Sequence, residues 1–245
     1  MQCDGRGRQS RRQCRQGDEA KSSIRLPFQD RLPAQSVPAK PLSCNDFTMI
    51  RAIVLAAGAS SRMGSPKPAL PLDGRGETFL SRVVRTTLSA GFPEIVVVAG
   101  AHVDAVRRAW PGRDRRVRVL INDAWEAGQL SSLLVGLNAS SFVPIEAVAV
   151  TLVDVPLVTE DTIRQLVSTW RTTGAPIVRP ARGDQHGHPV IFDRAVFADL
   201  RAADLGAGAK SVVRAHAAKI INVPIQDPGA YRDIDTPDDY ARVSP

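Results

Sequence analysis

From residue 49 onward, short runs of hydrophobic residues alternate with segments whose hydrophobic residues recur at helical spacing, and turn residues separate the two. This alternation is typical of βαβ units, which build a mostly parallel sheet flanked by helices. The pattern predicts strands at 51–56, 94–99, 117–121, 147–153, 175–179, 189–192 and 220–224. It predicts helices at 78–90, 103–109, 129–138, 160–171, 194–201, 209–217 and 237–242. The fold class is therefore α/β.

The carboxyl ends of the predicted strands are where a ligand is expected. In open α/β sheets the ligand crevice lies beyond these ends, so residues that directly follow a strand are the first functional candidates. The loop after the first strand, Gly100, Asp154 and the segment Asp233–Asp235 all stand in such positions. We expect them to border one crevice.

The first 48 residues differ from the remainder of the chain. They show no helical or strand periodicity, hold all three cysteines, and carry nine Lys or Arg residues against five Asp or Glu. We interpret residues 1–48 as a disordered basic tail or the product of a start codon assigned too far upstream, and expect them to be dispensable. Residues 49–245 form the predicted domain, which begins at Met49 immediately before the first strand.

Composition excludes several classes of function. A hydrophobic content of 43% and a charged content of 23% are ordinary for a globular protein. The net charge of +7 comes mostly from the first 48 residues and aromatic residues make up only 5%, which argues against nucleic acid as the main partner. No stretch approaches the roughly 20 apolar residues of a membrane span. Because the cysteines show no metal-site or disulfide spacing, we expect a cytoplasmic protein.

The loop at residues 55–67 has the composition of a phosphate-binding loop. It follows a hydrophobic strand and is rich in small residues, which let backbone N–H groups approach phosphate oxygens. Arg62 can donate two hydrogen bonds to a phosphate, and Lys67 adds a second positive charge. The spacing fits neither the GxxxxGK[ST] nor the GxGxxG pattern. The alternative is an ordinary tight turn with two surface cations.

Five motifs in order carry a resemblance to a known family. The first loop has the pattern LAAG-x-S-x-RMG-x-PK, and it is followed by GQLSSL at 128–133, DVPLV at 154–158, GHPVIF at 187–192 and DIDTP at 233–237. The stretch from 49 to 245 resembles the molybdenum cofactor cytidylyltransferases, a branch of the MobA-like NTP transferases. The resemblance implies a Rossmann-like nucleotidyltransferase domain.

The same resemblance implies an activity, two substrates and a cofactor. The expected reaction transfers CMP from CTP to the terminal phosphate of molybdopterin cofactor, releases pyrophosphate and uses Mg²⁺. The LAAG form of the loop, rather than LAGG, favours cytidylyl transfer. An apo-molybdoenzyme of the xanthine dehydrogenase type is a candidate partner. In this reaction Arg62 and Lys67 are the candidate catalytic residues.

Two aspartates are the candidate metal ligands. Asp154 follows a predicted strand, so its carboxylate is expected at the edge of the sheet, where hard oxygen ligands suit Mg²⁺. The resemblance assigns Asp235 as the second ligand and favours Asp233 less. Each has a simpler alternative: Asp154 as a turn or capping residue, and the Asp-Thr-Pro sequence at 235–237 as a helix start.

Further residues are candidates for contact with the substrates. The polar helix start at Gln129, Ser131 and Ser132 offers hydroxyl, amide and N–H groups to a nucleotide, although helix capping would also explain it. His188 is a candidate for the acceptor side or for a purely structural role. The full predicted nucleotide-binding set is Leu55, Ala56, Ala57, Gly58, Arg62, Lys67, Gly100, Gln129, Ser131 and Ser132.

Two rival functions remain open at this point. One is transfer of another nucleotide, either GMP to the same cofactor or a nucleotide to a sugar or alcohol phosphate. The other is a noncatalytic carrier that delivers finished cofactor to a molybdoenzyme. Release of pyrophosphate in the presence of Mg²⁺ would separate a transferase from a carrier, because a carrier releases none.

Overall fold

The structure is a computed structural model that describes residues 49–244 except 75, 113, 142 and 143. The prediction for residues 1–48 therefore lies outside the described residues. The strands are β1 Ile50–Ala56, β2 Glu94–Ala99, β3 Val117–Ile121, β4 Ala147–Leu152, β5 Ile177–Arg182, β6 Gln185–His186, β7 Val190–Asp193 and β8 Ile220–Pro224. The helices are α1 Phe79–Ala90, α2 Val103–Ala109, α3 Gln129–Asn138, α4 Glu160–Thr173, α5 Phe197–Ala202, α6 Ala209–Ala215 and α7 Pro237–Ala241.

The strands form one mixed sheet in the order β3-β2-β1-β4-β7-β5, with β6 and β8 also paired to β5. Strands β1 to β4 run parallel, while β7 runs antiparallel to both β4 and β5. The predicted Rossmann-like α/β fold is confirmed, and its parallel part is the half that contains the first four strands. Their carboxyl ends therefore lie at the same edge of the sheet.

Helices cover both faces of the sheet. On β1, Ala52, Val54 and Ala56 pack into a core with α1 and α4, whereas Ile53 and Leu55 pack into a second core with α3 and α5. Side chains that alternate along a strand point to opposite faces, so a strand covered on both faces favours hydrophobic residues at successive positions. This explains the continuous hydrophobic run from residue 52 to residue 56 of β1, which follows the buried Arg51.

The differences from the predicted elements lie mainly after residue 174. The predicted strand at 175–179 is instead Ile177–Arg182, and the two-residue β6 was not predicted because so short a strand has no detectable periodicity. The predicted helix at 194–201 is a 3₁₀ turn followed by α5, with the Asp193 side chain accepting a hydrogen bond from the Ala195 amide. No helix among the described residues is long and apolar enough to span a membrane.

The buried side chain of Arg51 connects the amino end of β1 to β2 and to the end of α3. Arg51 is 1% exposed, and its Nε donates to Glu94 Oε2 at 3.0 Å. Its Nη1 donates to the carbonyl oxygens of Gly136 and Ala139, both at 2.9 Å, and its Nη2 to that of Ser140 at 3.1 Å. The guanidinium thus joins β1, β2 and the carboxyl end of α3.

Arg51→Ala is expected to lower the free energy of unfolding by about 3 kcal/mol, because buried carbonyl oxygens lose their donor and a cavity remains. Urea denaturation would measure the loss. Arg118→Ala is the matched control, since Arg118 also pairs with Glu94 but is 35% exposed. Its removal should lower the free energy of unfolding by no more than about 1 kcal/mol. Equal losses in the two variants would contradict a structural role specific to Arg51.

Candidate active site

The loop after β1 is anchored at its middle and open where it faces solvent. Met63 is buried in the core, and the amides of Met63 and Gly64 donate to the Ser60 carbonyl at 3.0 and 3.3 Å. Ser60 itself has a left-handed backbone with φ of 53°. A Cβ atom added at Gly58 would meet nothing within 4 Å. The loop is thus held in a tight turn that leaves room for a ligand beside Gly58.

Lys67 turns from this loop toward the edge of the sheet. Its amide donates to Ser60 Oγ at 3.1 Å, and it begins a short 3₁₀ helix, Lys67–Ala69. The ammonium donates to Asp154 Oδ2 at 2.9 Å and to Asp235 Oδ1 at 2.5 Å. The Lys67 side chain is only 10% exposed. One buried cation therefore links the two aspartates predicted as metal ligands.

The contact between Lys67 and the aspartates favours the charged forms of Lys67 and Asp235. Burial alone lowers the pKa of Lys67, but the hydrogen bonds and negative charges of Asp235 and Asp154 outweigh it and raise that pKa. The hydrogen bond from Lys67, assisted by the charges of Lys67 and Arg62, lowers the pKa of Asp235. Arg62 Nη2 lies 2.9 Å from Asp235 Oδ2, although the Arg62 side chain is 70% exposed. All four predicted catalytic and metal-binding residues thus come together.

Backbone contacts explain how residues so far apart in sequence meet. The Val153 amide donates to the Leu55 carbonyl, which continues the pairing of β1 and β4 up to Asp154. The Ile234 amide donates to the Asp154 carbonyl at 2.9 Å, so the acidic turn lies against the end of β4. Thr236 caps α7 by accepting from the Asp239 amide. The helix-start alternative for the segment 235–237 is therefore real, and it coexists with the contact between Asp235 and Lys67.

The chemistry of the two aspartates fits a divalent cation. Asp154 Oδ1 is buried and has no hydrogen-bond partner among the described residues, so it retains lone pairs for a ligand. In the described part of the chain no three His, Cys, Asp or Glu residues are grouped to hold a metal alone. Mg²⁺ is commonly held by one or two carboxylates together with substrate phosphates and water. The residues present therefore suit a cation that arrives with a nucleotide.

Asp233 lies close to this centre but differs from Asp235. Partial desolvation and the negative charge of Asp154 raise the pKa of Asp233, and the positive charge of Lys67 only partly offsets them. Lys67 bonds Asp154 and Asp235 directly, whereas Asp233 acts on the centre through its charge. The lower preference for Asp233 as a metal ligand stays a prediction.

A small cavity of about 170 Å³ lies beside the aspartates. Its lining includes five of the predicted nucleotide-binding residues, namely Leu55, Ala57, Gly58, Gln129 and Ser132, together with Asp154. Trp125 also lines it and was not singled out from the sequence. Ala56 is 2% exposed and packs in the core on the opposite face of the sheet, so its side chain does not border the cavity.

A buried polar network holds the start of α3. Asn122 Nδ2 donates to Ser131 Oγ at 2.8 Å and to Ser132 Oγ at 2.9 Å. The Ser131 hydroxyl contacts the carbonyl oxygens of Ala124 and Gly128. Ser131 thus helps to shape the helix start, while Ser132 reaches the cavity. Contact of Ser131 with a nucleotide stays a prediction.

Gly100 permits a close approach behind this cavity. A Cβ atom there would lie 2.6 Å from Trp125 Cβ and 2.7 Å from the Ala57 carbonyl oxygen. The Ala101 amide donates to that same carbonyl at 3.0 Å. Gly100 therefore lets the first loop and the Trp125 turn pack together, and a side chain at this position would separate them.

His188 borders a second, larger cavity of about 360 Å³, which shares Leu55, Gln129 and Leu152 with the smaller one. Burial lowers the pKa of His188, which keeps the ring neutral, and its Nδ1 lies 3.4 Å from the Val150 carbonyl oxygen. Through these shared residues the larger cavity adjoins the small cavity that Asp154 lines. The neighbouring His186 is exposed and contacts Arg179 instead.

Several known proteins with similar sequences match this chain over most of their own length. Nicotine blue oxidoreductase of Paenarthrobacter nicotinovorans is 29% identical over 206 residues, covering 81% of this chain and 98% of that protein. Purine catabolism protein PucB of Bacillus subtilis is 28% identical and covers 78% and 94%. A probable molybdenum cofactor guanylyltransferase of Mycobacterium bovis is 28% identical over 167 residues, covering 68% and 79%.

Solved structures and a family match agree with this similarity. Rv0371c from Mycobacterium tuberculosis has a TM-score of 0.68 at 29% identity, covering 80% of this chain and 97% of the other. The same protein in complex with manganese has a TM-score of 0.63, with 29% identity and coverage of 80% and 98%. Residues 52–220 match the MobA-like NTP transferase domain, a match that covers more than half of the chain. The protein therefore belongs to the MobA-like NTP transferase family, the nucleotidyltransferases whose fold and motifs it shares.

Proposed function

We propose that the protein transfers CMP from CTP to the terminal phosphate of molybdopterin cofactor, with Mg²⁺ as its metal. The observation that carries the proposal is the cluster of Arg62, Lys67, Asp154 and Asp235 at the carboxyl edge of the sheet, beside a cavity formed by the first loop. Two cations beside two carboxylates provide what a nucleoside triphosphate and its metal require. We also propose that this transferase domain begins near Met49.

The residues present support direct transfer without a covalent enzyme intermediate. An oxygen of the acceptor phosphate attacks the α-phosphorus of CTP, the bond from that phosphorus to the β-phosphate oxygen breaks, and pyrophosphate leaves with the bonding electrons. Bound Mg²⁺ would withdraw charge from the phosphate oxygens. Asp154 and Asp235 would hold it, while Arg62 and Lys67 would move onto the phosphates and stabilise charge on the departing pyrophosphate.

Relatives support the transfer of a nucleotide more directly than they support the choice of CTP. One is named as a probable molybdenum cofactor guanylyltransferase, and one relative of known structure has been solved with manganese. Choice of CTP rests instead on this chain's first loop. Ala57 is 6% exposed and lines the small cavity at the position where LAGG would have glycine. We propose that its methyl group narrows the space for a base.

A backbone carbonyl is available to recognise cytosine. The carbonyl oxygens of Leu55 and Ala57 already accept from the amides of Val153 and Ala101. Within the described residues the Gly58 carbonyl accepts no hydrogen bond, and Gly58 lines the small cavity. We assign this oxygen as the candidate acceptor for the amino group of cytosine. UTP has an acceptor at that position, so two acceptors would face each other unpaired.

Wild-type protein should release pyrophosphate faster from CTP than from GTP, UTP or ATP when Mg²⁺ and molybdopterin cofactor are present. Ala57→Gly should lower the ratio of kcat/KM for CTP to that for GTP by about tenfold, because one methyl group in a pocket is worth about that much in selectivity. Faster turnover of GTP by the wild type would overturn the cytidylyl assignment. An unchanged ratio in the variant would show that the loop does not select the base.

The two rival functions make different predictions in the same assay. Guanylyl transfer, or transfer to a sugar or alcohol phosphate, would appear as pyrophosphate release with another nucleotide or another acceptor. A noncatalytic carrier would release none. The cluster of Lys67 with Asp154 and Asp235 argues against a carrier, because a protein that only delivers finished cofactor has no need of a triphosphate and metal site. Delivery to an apo-molybdoenzyme is compatible with catalysis and would follow it.

A further inference from the structure

The larger cavity has a chemical character that the nucleotide site does not explain. Apolar side chains that include Leu133, Val190 and Phe192 form much of its wall. Three cationic side chains, Arg179 from β5 and Lys210 and Arg214 from α6, also line it. An apolar wall combined with several positive charges suits a ligand that has an apolar body and an anionic group.

Within the described ranges, the three cations lack a carboxylate partner at ion-pair distance. Among the described residues none of Arg179, Lys210 and Arg214 forms an ion pair. Lys210 and Arg214 are four residues apart on α6, so their side chains lie on one face of the helix, where like charges repel. A bound anion would remove this repulsion.

Arg179 is held in position without being neutralised. Its Nε donates to Asn222 Oδ1 at 2.8 Å, and its Nη2 contacts His186 Nε2 at 2.9 Å. Since arginine can only donate, His186 Nε2 must be the unprotonated nitrogen of a neutral ring. Counting contacts with the described residues, these use two of the five guanidinium N–H groups, so three can serve a ligand. Neutral partners thus orient Arg179 and preserve its charge.

The cationic residues line the larger cavity and not the small one. Asp154, in contrast, lines the small cavity and not the larger one. The lining residues Leu55, Gln129 and Leu152 are shared with the small cavity, so ligands in the two cavities would be neighbours. A ligand in the larger cavity could therefore reach the centre with one end and the cations with the other.

We propose that the larger cavity is the acceptor site and that Arg179, Lys210 and Arg214 bind an anionic group of the acceptor distinct from its attacking phosphate, while the apolar wall packs against the acceptor's body. This inference rests on the proposed function for the identity of the ligand as an acceptor. The ligand class is an acceptor with negative charge at both ends of an apolar body.

A pair of fluorescent probes tests the cavity independently of turnover. 1-Anilinonaphthalene-8-sulfonate carries an anionic group on an apolar ring system, and N-phenyl-1-naphthylamine has the same ring system without the charge. Wild-type protein should bind the sulfonate, and both Arg179→Gln and the double variant Lys210→Gln with Arg214→Gln should raise its Kd by about tenfold, as expected for loss of charge-assisted hydrogen bonds. The Kd of the neutral probe should not change.

Lys219→Gln is the charge-matched control, because Lys219 is exposed and does not line the cavity. It should leave the Kd of both probes unchanged. The proposal is overturned if the cavity variants bind the sulfonate as tightly as wild type, or if Lys219→Gln weakens binding equally.

Kinetics separate failure of this inference from failure of the proposed function. In the CTP assay the cavity variants should raise the KM for molybdopterin cofactor about tenfold and leave the KM for CTP unchanged. An unchanged KM for the cofactor with normal CTP turnover would overturn the acceptor-site inference while the proposed function stands. If no NTP yields pyrophosphate but the probe results hold, the proposed function fails, and with it the identification of the ligand as an acceptor.

Discussion

Lys67→Met is expected to lower kcat for pyrophosphate release by about a thousandfold, the effect seen when a cation that stabilises a transferring phosphoryl group is removed. The substitution keeps most of the side chain's apolar volume but removes the charge that lies between Asp154 and Asp235. The KM for CTP should change much less than kcat, because the ammonium is needed most when charge passes to pyrophosphate. Initial rates at saturating CTP and Mg²⁺ would measure the loss.

The same variant should respond to divalent cations differently from wild type. Without the ammonium, two carboxylates face each other in a partly buried position, so thermal stability should fall in metal-free buffer. Mn²⁺ should bind the variant more tightly than it binds nucleotide-free wild type, and it should restore more stability. Paramagnetic titration and thermal melts would report both changes without any turnover. Loss of activity with an unchanged response to Mn²⁺ would contradict the bridging role of Lys67.

Low pH should remove the contribution that the contact between Lys67 and Asp235 makes to the free energy of unfolding. Lys67 lowers the pKa of Asp235 from its ordinary value of 3.8, so folding favours the ionised form. A carboxyl group whose pKa is lower in the folded state stabilises the protein at pH values above its pKa in the unfolded state. This contribution is lost as the pH falls through its pKa in the folded state. In Lys67→Met, the free energy of unfolding should therefore fall much less than in wild type as the pH drops below 3.8.

Asp154→Asn is expected to reduce turnover by at least about a thousandfold, because a candidate metal ligand loses its charge while the shape of its side chain is kept. An amide oxygen can still accept from Lys67, so the melting temperature should fall by only a few degrees. Pyrophosphate release at saturating Mg²⁺ measures the first effect and thermal melting measures the second. Mn²⁺ binding in the presence of CTP should weaken in parallel.

Asp233→Asn is the matched control for that prediction. Asp233 lies in the same charged neighbourhood, but the contacts of Lys67 go to Asp154 and Asp235. Its replacement should therefore alter turnover far less than replacement of Asp154. Near-normal activity of Asp154→Asn would overturn the assignment of Asp154, and equal losses in the two variants would mean that Asp233 shares the metal.

The parallel half of the fold was predictable because β1, β2 and β4 are buried on both faces. Strand β2 has the predicted bounds, since a strand buried along its length leaves a continuous hydrophobic run in the sequence. Strand β3 also has its predicted bounds, although it lies at the edge of the sheet and is only partly buried. The same reasoning correctly predicted that Asp154 lies at the carboxyl edge of the sheet. Beyond residue 174 the signal weakens, because β5 contains a proline and charged residues and β6 has only two residues.

Contacts between distant side chains were not predictable from periodicity. The sequence indicated Lys67 as a phosphate-binding cation, but nothing in the pattern showed that it would lie between both aspartates. Arg51 is a charged residue at the start of a predicted strand, and periodicity does not show that it is buried. Its burial depends on carbonyl oxygens at the end of α3, which accept its hydrogen bonds. The network around Asn122 has the same origin, because backbone geometry rather than residue spacing brings its members together.

The separation of 168 residues between Lys67 and Asp235 also bears on how the protein is made. At a synthesis rate of about 5–20 residues per second, the ribosome adds Asp235 roughly 8 to 30 seconds after Lys67. During that interval the first loop and Asp154 can assemble, but Arg62 has no Asp235 to contact. A nascent chain would thus contain the candidate phosphate-binding loop well before the second carboxylate of the cluster. Transfer activity should accordingly arise only when the last segment of the chain has docked.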